Sequence, residues 1–178
     1  MLRSPRLYII VASLVLLALL ATALARVLFT FEPIRVGATA YNAHFSQTDS
    51  TPRITATGTT VRQGRTLATS TDLWRATLVR PGDVVRVSFP DLPEYEGRYG
   101  GLYIVEDAMN RRFRRTIDLY LNSYREATTF GRVDALIERL DPRTLPEEFR
   151  NDPVNLEAMR KGQEHYRRFL RALGRSAP

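Results

Sequence analysis

The stretch Leu102-Tyr-Ile-Val-Glu-Asp-Ala-Met-Asn-Arg-Arg-Phe-Arg-Arg-Thr-Ile-Asp-Leu-Tyr-Leu121 decides how the chain folds. Its two ends are rich in β-branched and aromatic residues and its middle is polar, so it reads as strand, connection, strand. Along Thr116 to Leu121 the side chains alternate between two faces. Ile117, Leu119 and Leu121 share one, and Asp118 and Tyr120 share the other. A carboxylate between apolar neighbours is poor strand chemistry unless it is satisfied or used. Asp107 ends the first strand, and the connection Ala108 to Arg115 can return the chain so that Asp107 comes near Asp118. Two close carboxylates do not both ionise cheaply, so one of them is expected to hold its proton near neutral pH. A plainer reading stands beside this one: Asp107 opens a turn and Asp118 bonds locally.

Four more candidate strands precede this pair: Val36 to Tyr41, Arg53 to Thr57 ending at Gly58, Arg65 to Thr69, and Asp83 to Phe89 after a Pro81-Gly82 turn. Many short strands at near-regular spacing predict a mainly β fold, a small closed barrel over residues 35–140, rather than a βαβ sheet. Gly100-Gly101 is read as a hairpin turn. Ser123 to Phe130 is read as a short helix, with Ser123 as N-cap, Glu126 three residues on and Gly131 after its end. Residues 141–152 are Pro-rich and charged and read as a linker. Asp152-Pro153 then caps an amphipathic helix over 153–174, with Leu156, Met159, Tyr166, Phe169, Leu170 and Leu173 as its apolar face. The other face carries Arg160, Lys161, Arg167, Arg168 and Arg171. That basic face is either solvated on a docked helix or a contact for a lipid surface or wall polymer.

At the N-terminus, Arg3 and Arg6 precede an uncharged apolar run from Leu7 to Ala25 that ends in Ala23-Leu24-Ala25. The pattern fits a secretory signal peptide over 1–25, and the run is also long enough to remain as a signal anchor. Either way the rest of the chain is expected to be exported, to the periplasm or cell envelope, with membrane contact through residues 7–25 if the segment is retained.

The 178 residues carry a formal net charge of +7, with 44% hydrophobic and 25% charged residues, which excludes wholesale disorder. Absence of Cys excludes a disulfide framework, a Cys-type zinc site and a thiol nucleophile. Two His far apart argue against a His-based metal site, so no metal and no cofactor are expected. There is no GxSxG, Walker loop, dinucleotide fingerprint or HExxH. For an exported protein the polyanions in reach are lipid headgroups, wall polymers and peptidoglycan carboxylates, not nucleic acid. Arg111 to Arg115 is read as a contact for anionic glycan peptides rather than for nucleic acid. His44, in a polar loop, is a surface residue or a groove liner.

In order along the chain, Thr39-Ala-Tyr41, Ile54-Thr-Ala-Thr-Gly58, Leu67-Ala-Thr-Ser-Thr-Asp72, Pro81-Gly-Asp-Val-Val85, Tyr103-Ile-Val-Glu-Asp107, Ile117-Asp118 and Phe130-Gly131 resemble the 3D domain, named for its three aspartates. This domain occurs in the MltA-type lytic transglycosylases and in other muralytic proteins. The resemblance covers about Arg35 to Leu140 and implies a double-psi β-barrel that cleaves peptidoglycan glycan strands. It implies Asp118 as catalytic acid/base, Asp107 as its partner and Asp72 as the third carboxylate. Tyr120, Tyr41, Thr57 and Asn110 are the candidates for contacting the sugar. The sequence departs from the family pattern after the second aspartate: Ala108-Met109-Asn110 stands where a Thr-Gly-Gly run is usual. The alternative function is a non-catalytic envelope module that binds glycan or a protein partner.

Overall fold

The computed structural model describes residue 8 and residues 11–20, 31–43 and 53–175. The chain forms two units, Met1–Phe31 and Glu32–Pro178. In the first, residues 11–20 are helical (α1), and aliphatic side chains such as Leu14 and Leu17 are exposed. Much of the expected export segment, and His44, lie outside the described residues. Among the described residues no helix is long and apolar enough to cross a membrane.

The second unit is a closed six-stranded barrel with helices around it. Its strands are β1 (Ile34–Tyr41), β2 (Thr66–Thr69), β3 (Val84–Ser88), β4 (Gly101–Ala108), β5 (Thr116–Tyr120) and β6 (Val133–Arg139). Around the barrel they follow the order β1-β5-β2-β4-β3-β6, and β6 returns to β1, so no strand edge is left open. Two neighbour pairs, β1 with β5 and β2 with β4, are parallel; the rest are antiparallel. The interior is filled by alternate residues of every strand: Val36 and Ala38, Leu67, Val85 and Val87, Val105, Ile117 and Leu119, Ala135 and Ile137. Burying each of the larger aliphatic side chains contributes about 1.5–3 kcal/mol.

Between the strands lie α2 (Thr71–Arg75), α3 (Pro93–Tyr99) and α4 (Tyr124–Thr129). Ser123 caps α4 as expected, accepting the Glu126 N–H at 3.2 Å. Four expectations are corrected. Arg53 to Thr57 is no strand; Thr55 N–H bonds Thr59 O at 2.8 Å and Gly58 N–H bonds Thr55 O at 2.9 Å, closing a turn with a single bridge between Ile54 and Thr60. The sixth strand is β6 instead. Gly100 follows the end of α3 and Gly101 opens β4, so the pair makes no hairpin. Residues 141–152 are not a free linker: they hold a 3-10 turn, Pro142–Thr144, and α5 (Glu147–Asn151). Leu145 and Phe149 are buried there with Val84, Ile104, Ala158 and Met159.

The C-terminal helix α6 (Pro153–Ala172) is capped by Asp152, which accepts the N–H groups of Val154 and Asn155. The face it buries is not quite the one expected. Leu156 and Leu173 are exposed, while Asn155, Ala158, Met159, Gly162, Tyr166 and Leu170 are buried. Gly162 lies directly on the Pro81-Gly82 turn, where a Cβ would collide with Gly82 N and Cα. Gly162→Ala should therefore push α6 off the barrel and cost about 1–3 kcal/mol in urea unfolding, whereas Gly97→Ala, with open space around it, should not.

Candidate functional site

The site is built on the outer face of four adjacent strands. Ala68 of β2 is the register partner of Asp107 on β4 and, on its other side, of Asp118 on β5. Asp118 is in turn opposite Thr39 of β1. Directly paired residues point to the same side of a sheet, so Thr39, Asp118, Ala68 and Asp107 form one row. The two strands that carry the aspartates are about 10 Å apart, with only the Ala68 methyl between them.

A shift in register makes this row possible. Leu67 pairs with Val105, yet Ala68 pairs with Asp107, so Glu106 has no partner on β2 and forms a bulge. The bulge re-aims the strand, turning Asp107 to the face that Ala68 and Asp118 share. Glu106 is itself fully buried. It accepts the Thr66 hydroxyl at 2.6 Å, and Arg62 Nη2 stands 3.6 Å from its other oxygen. Burial pushes the Glu106 carboxyl up, opposed by Thr66 and Arg62. Arg62 Nη1 also donates to Asn155 on α6 at 2.8 Å, which ties the bulge to the C-terminal helix.

Three donors converge on the Asp107 carboxylate. The Tyr41 hydroxyl reaches Oδ2 at 3.1 Å, and the N–H groups of Ala56 and Ala108 reach Oδ1, each at 2.9 Å. That acceptor set suits an ionised carboxylate. Tyr41 stays a donor because burial, followed by the charge of Asp107, pushes its phenol well above the ordinary value.

Asp118 differs. Its Oδ1 accepts the Thr39 hydroxyl at 2.8 Å, and its side chain lies on the face lined by Tyr41, Val61, Ala68, Met109 and Tyr120, which form a buried apolar cluster. Its carboxyl is pushed up to about 7, first by burial and then, more weakly, by the charge of Asp107, with the Thr39 hydrogen bond opposing. The expected direction holds, but the like charge expected as its cause is secondary to dehydration. As whole residues, Asp107 and Asp118 are partly exposed rather than fully buried.

The other predicted residues are placed as follows. Asp72 is apart from the row, in α2, where Oδ2 accepts the Arg115 N–H at 3.1 Å. Burial raises its carboxyl, but hydrogen bonds from Ser70, Arg115 and its own N–H leave it below the ordinary value. Tyr120 is 5% exposed and packs edge-on against Tyr41 at 5.5 Å, so it walls the site instead of offering a free ring for stacking. Thr57 is buried in a hydroxyl triangle with Thr55 and Thr59, and its N–H bonds Glu106 O at 3.2 Å. Asn110 is exposed and accepts the Arg112 N–H at 3.1 Å, closing a turn. Sequence reasoning missed Thr39 as the donor to Asp118, the Ala56 N–H, Glu106 and Arg62. It also missed Met109, whose bulk helps fill the buried cluster on the face that Asp118 shares. Among the described residues no group of three or more His, Asp or Glu could hold a metal ion.

Compared with models of known protein families and with curated proteins, the sequence matches none.

A carboxyl raised from 3.8 to about 7 on folding ionises first in the unfolded chain. Its effect is therefore a loss of stability that grows from about pH 4 to about pH 7 and is constant above. Asp118→Asn removes that loss, so the variant's gain over wild type in urea unfolding should rise from about pH 4 and level off above about pH 7 at on the order of a few kcal/mol. Thr39→Val, by removing a donor that favours the charged form, should move the Asp118 titration further upward, read by carboxyl-carbon NMR.

Proposed function

We propose that the protein is a peptidoglycan lytic transglycosylase of the 3D-domain kind, acting in the cell envelope on the bond between N-acetylmuramic acid and N-acetylglucosamine. The observation that carries this reading is the pairing of a carboxyl raised to about 7 with a fully hydrogen-bonded carboxylate across one alanine. A protonated acid at neutral pH is what glycosidic cleavage needs, and the second carboxylate supplies negative charge beside a developing oxocarbenium ion. The finer fold assignment, a double-psi barrel, is supported by six strands with two parallel neighbour pairs whose chain connections cross. Export through residues 1–25, and envelope localisation, rest on the charge and apolar pattern of the N-terminus.

In this mechanism Asp118 gives its proton to the glycosidic oxygen as the bond from C1 of the muramyl sugar breaks. The resulting carboxylate then takes the proton of the C6 hydroxyl while O6 closes on C1, forming the 1,6-anhydro ring. The proton spent in the first half is regained in the second, so no water enters and one carboxyl serves as acid and then base. Thr39 orients Asp118, and Tyr41, Ala56 and Ala108 hold Asp107 in place. The burial of Tyr120 and Tyr41 favours a second reading, a module that holds glycan without cutting it, because neither ring is free to stack on sugar.

Incubation with purified sacculi should release 1,6-anhydromuropeptides, detected by mass spectrometry, with a rate that falls as pH rises above about 7. Asp118→Asn should lower that rate by about 100- to 10,000-fold. Intact sacculi that merely pellet with the protein would overturn the enzymatic reading in favour of the binding module.

A further inference from the structure

Arginines cluster around the backbone of Gly37, on the outside of the barrel where β1 begins. Arg35 is two residues before it on the same strand face. Arg132, which precedes β6, lays its guanidinium against Gly37, 3.1 Å from where a Cβ would stand. Arg115, at the entrance to β5, accepts the Gly37 N–H on its carbonyl at 2.9 Å and donates from Nη2 to Arg35 O at 3.3 Å. Arg114 neighbours it, and Arg111 and Arg112 precede it in the same connection; all six side chains are exposed. The acids here are already engaged. Asp91 and Asp134 both face Arg35, at 3.6 and 3.3 Å, and Asp72 holds the Arg115 N–H. The side chains of Arg111, Arg114 and Arg132 have no hydrogen bond or ion pair among the described residues, so the face keeps a net positive charge.

We propose that this arginine face docks on anionic phospholipid headgroups, laying the start of the barrel on a membrane surface. Charge complementarity admits any polyanion; what favours lipid is covalent. Ile34, the first residue of β1, follows the apolar run Leu7–Ala25 by only eight intervening residues, 26–33. A bilayer that holds that run keeps Ile34 and the adjoining Arg35 within about 30 Å of its surface. Headgroup attraction acts over about a Debye length, roughly 10 Å, and the tether lets these guanidinium groups come that close while keeping them from diffusing away. A soluble wall polymer is under no such constraint. The inference is independent of any chemistry at Asp107 and Asp118.

The test uses the full chain in lipid nanodiscs, with amide hydrogen exchange as the readout. Residues 34–37 and 111–116 should exchange about fivefold or more slowly in phosphatidylglycerol-containing discs than in phosphatidylcholine discs, and high salt should abolish the difference. The combined change Arg111→Gln, Arg114→Gln and Arg132→Gln should also abolish it while leaving exchange in β3 and β4 unchanged. If β3 and β4 lose protection in that variant, the wild-type comparison of the two lipids and of low and high salt decides alone. Equal exchange in the two lipids overturns the proposal. So does a slowing produced by soluble peptidoglycan fragments but not by anionic discs, or a slowing that survives in a folded triple variant.

Discussion

Strand β2 is four residues long, and its Ala68 is the backbone partner of both Asp107 and Asp118. That double pairing is the constraint on which the site depends. It requires β2 to lie between β4, to which it is parallel, and β5, to which it is antiparallel, and it requires a residue too small to fill the space above itself. It also requires the bulge at Glu106, since without the extra residue Asp107 would fall one position out of register and face the barrel interior. The bulge is in turn held by an ion pair between the buried Glu106 and the partly exposed Arg62. A fully buried glutamate is costly unless paired, and Arg62 and Thr66 supply the pairing. Because Arg62 also holds Asn155, the docking of α6 and the aim of Asp107 are parts of one network.

The environment of Asp118 shows how the barrel trades stability for a poised acid. Tyr41, Val61, Met109 and Tyr120 remove water from its face, and Thr39 offers a single hydroxyl in return. One neutral donor does not replace the solvation of a charge, so the proton stays on to near pH 7. Asp107, one strand beyond Ala68, receives three donors. Two aspartates in one row thus have different surroundings: one is given hydrogen bonds and the other apolar neighbours. Met109, buried in the same cluster, strengthens that division.

Much of this was legible in local sequence. The alternation over Thr116 to Leu121 put Asp118 and Tyr120 on one face and Ile117, Leu119 and Leu121 on the other; the structure has the latter three in the main core cluster and Tyr120 in a separate buried cluster. The caps Ser123 and Asp152 marked real helix starts. What local pattern could not supply was pairing between distant segments. Thr55 and Thr57 have β propensity, but their hydroxyls bond one another and the chain turns at Gly58 instead of joining the barrel. Val133-Asp-Ala-Leu-Ile-Glu-Arg139 contains good helix formers, and becomes a strand because β1 and β3 leave a gap for one. Proline and charge in 141–152 hid Leu145 and Phe149, whose four-residue spacing was the one sign of burial. The bulge is a property of two strands in register and has no signature in either alone.

Asp72 shows why an aspartate remote from the row still bears on it. Arg115 has φ of 44°, a left-handed conformation that a long side chain adopts at a cost of order 1 kcal/mol. Its N–H is held by the Asp72 carboxylate and its carbonyl by the Gly37 N–H, so the strain is confined to the residue just before β5. That residue fixes where the strand begins. Thr116 is then set opposite Gly37, and two residues later Asp118 is set opposite Thr39. A slip of one residue would exchange the faces, putting Asp118 inside the barrel and Ile117 beside Ala68. Asp72 therefore acts on the site through register: it is a positioning residue, and the distance that separates it from Asp118 is the length of strand it holds in place.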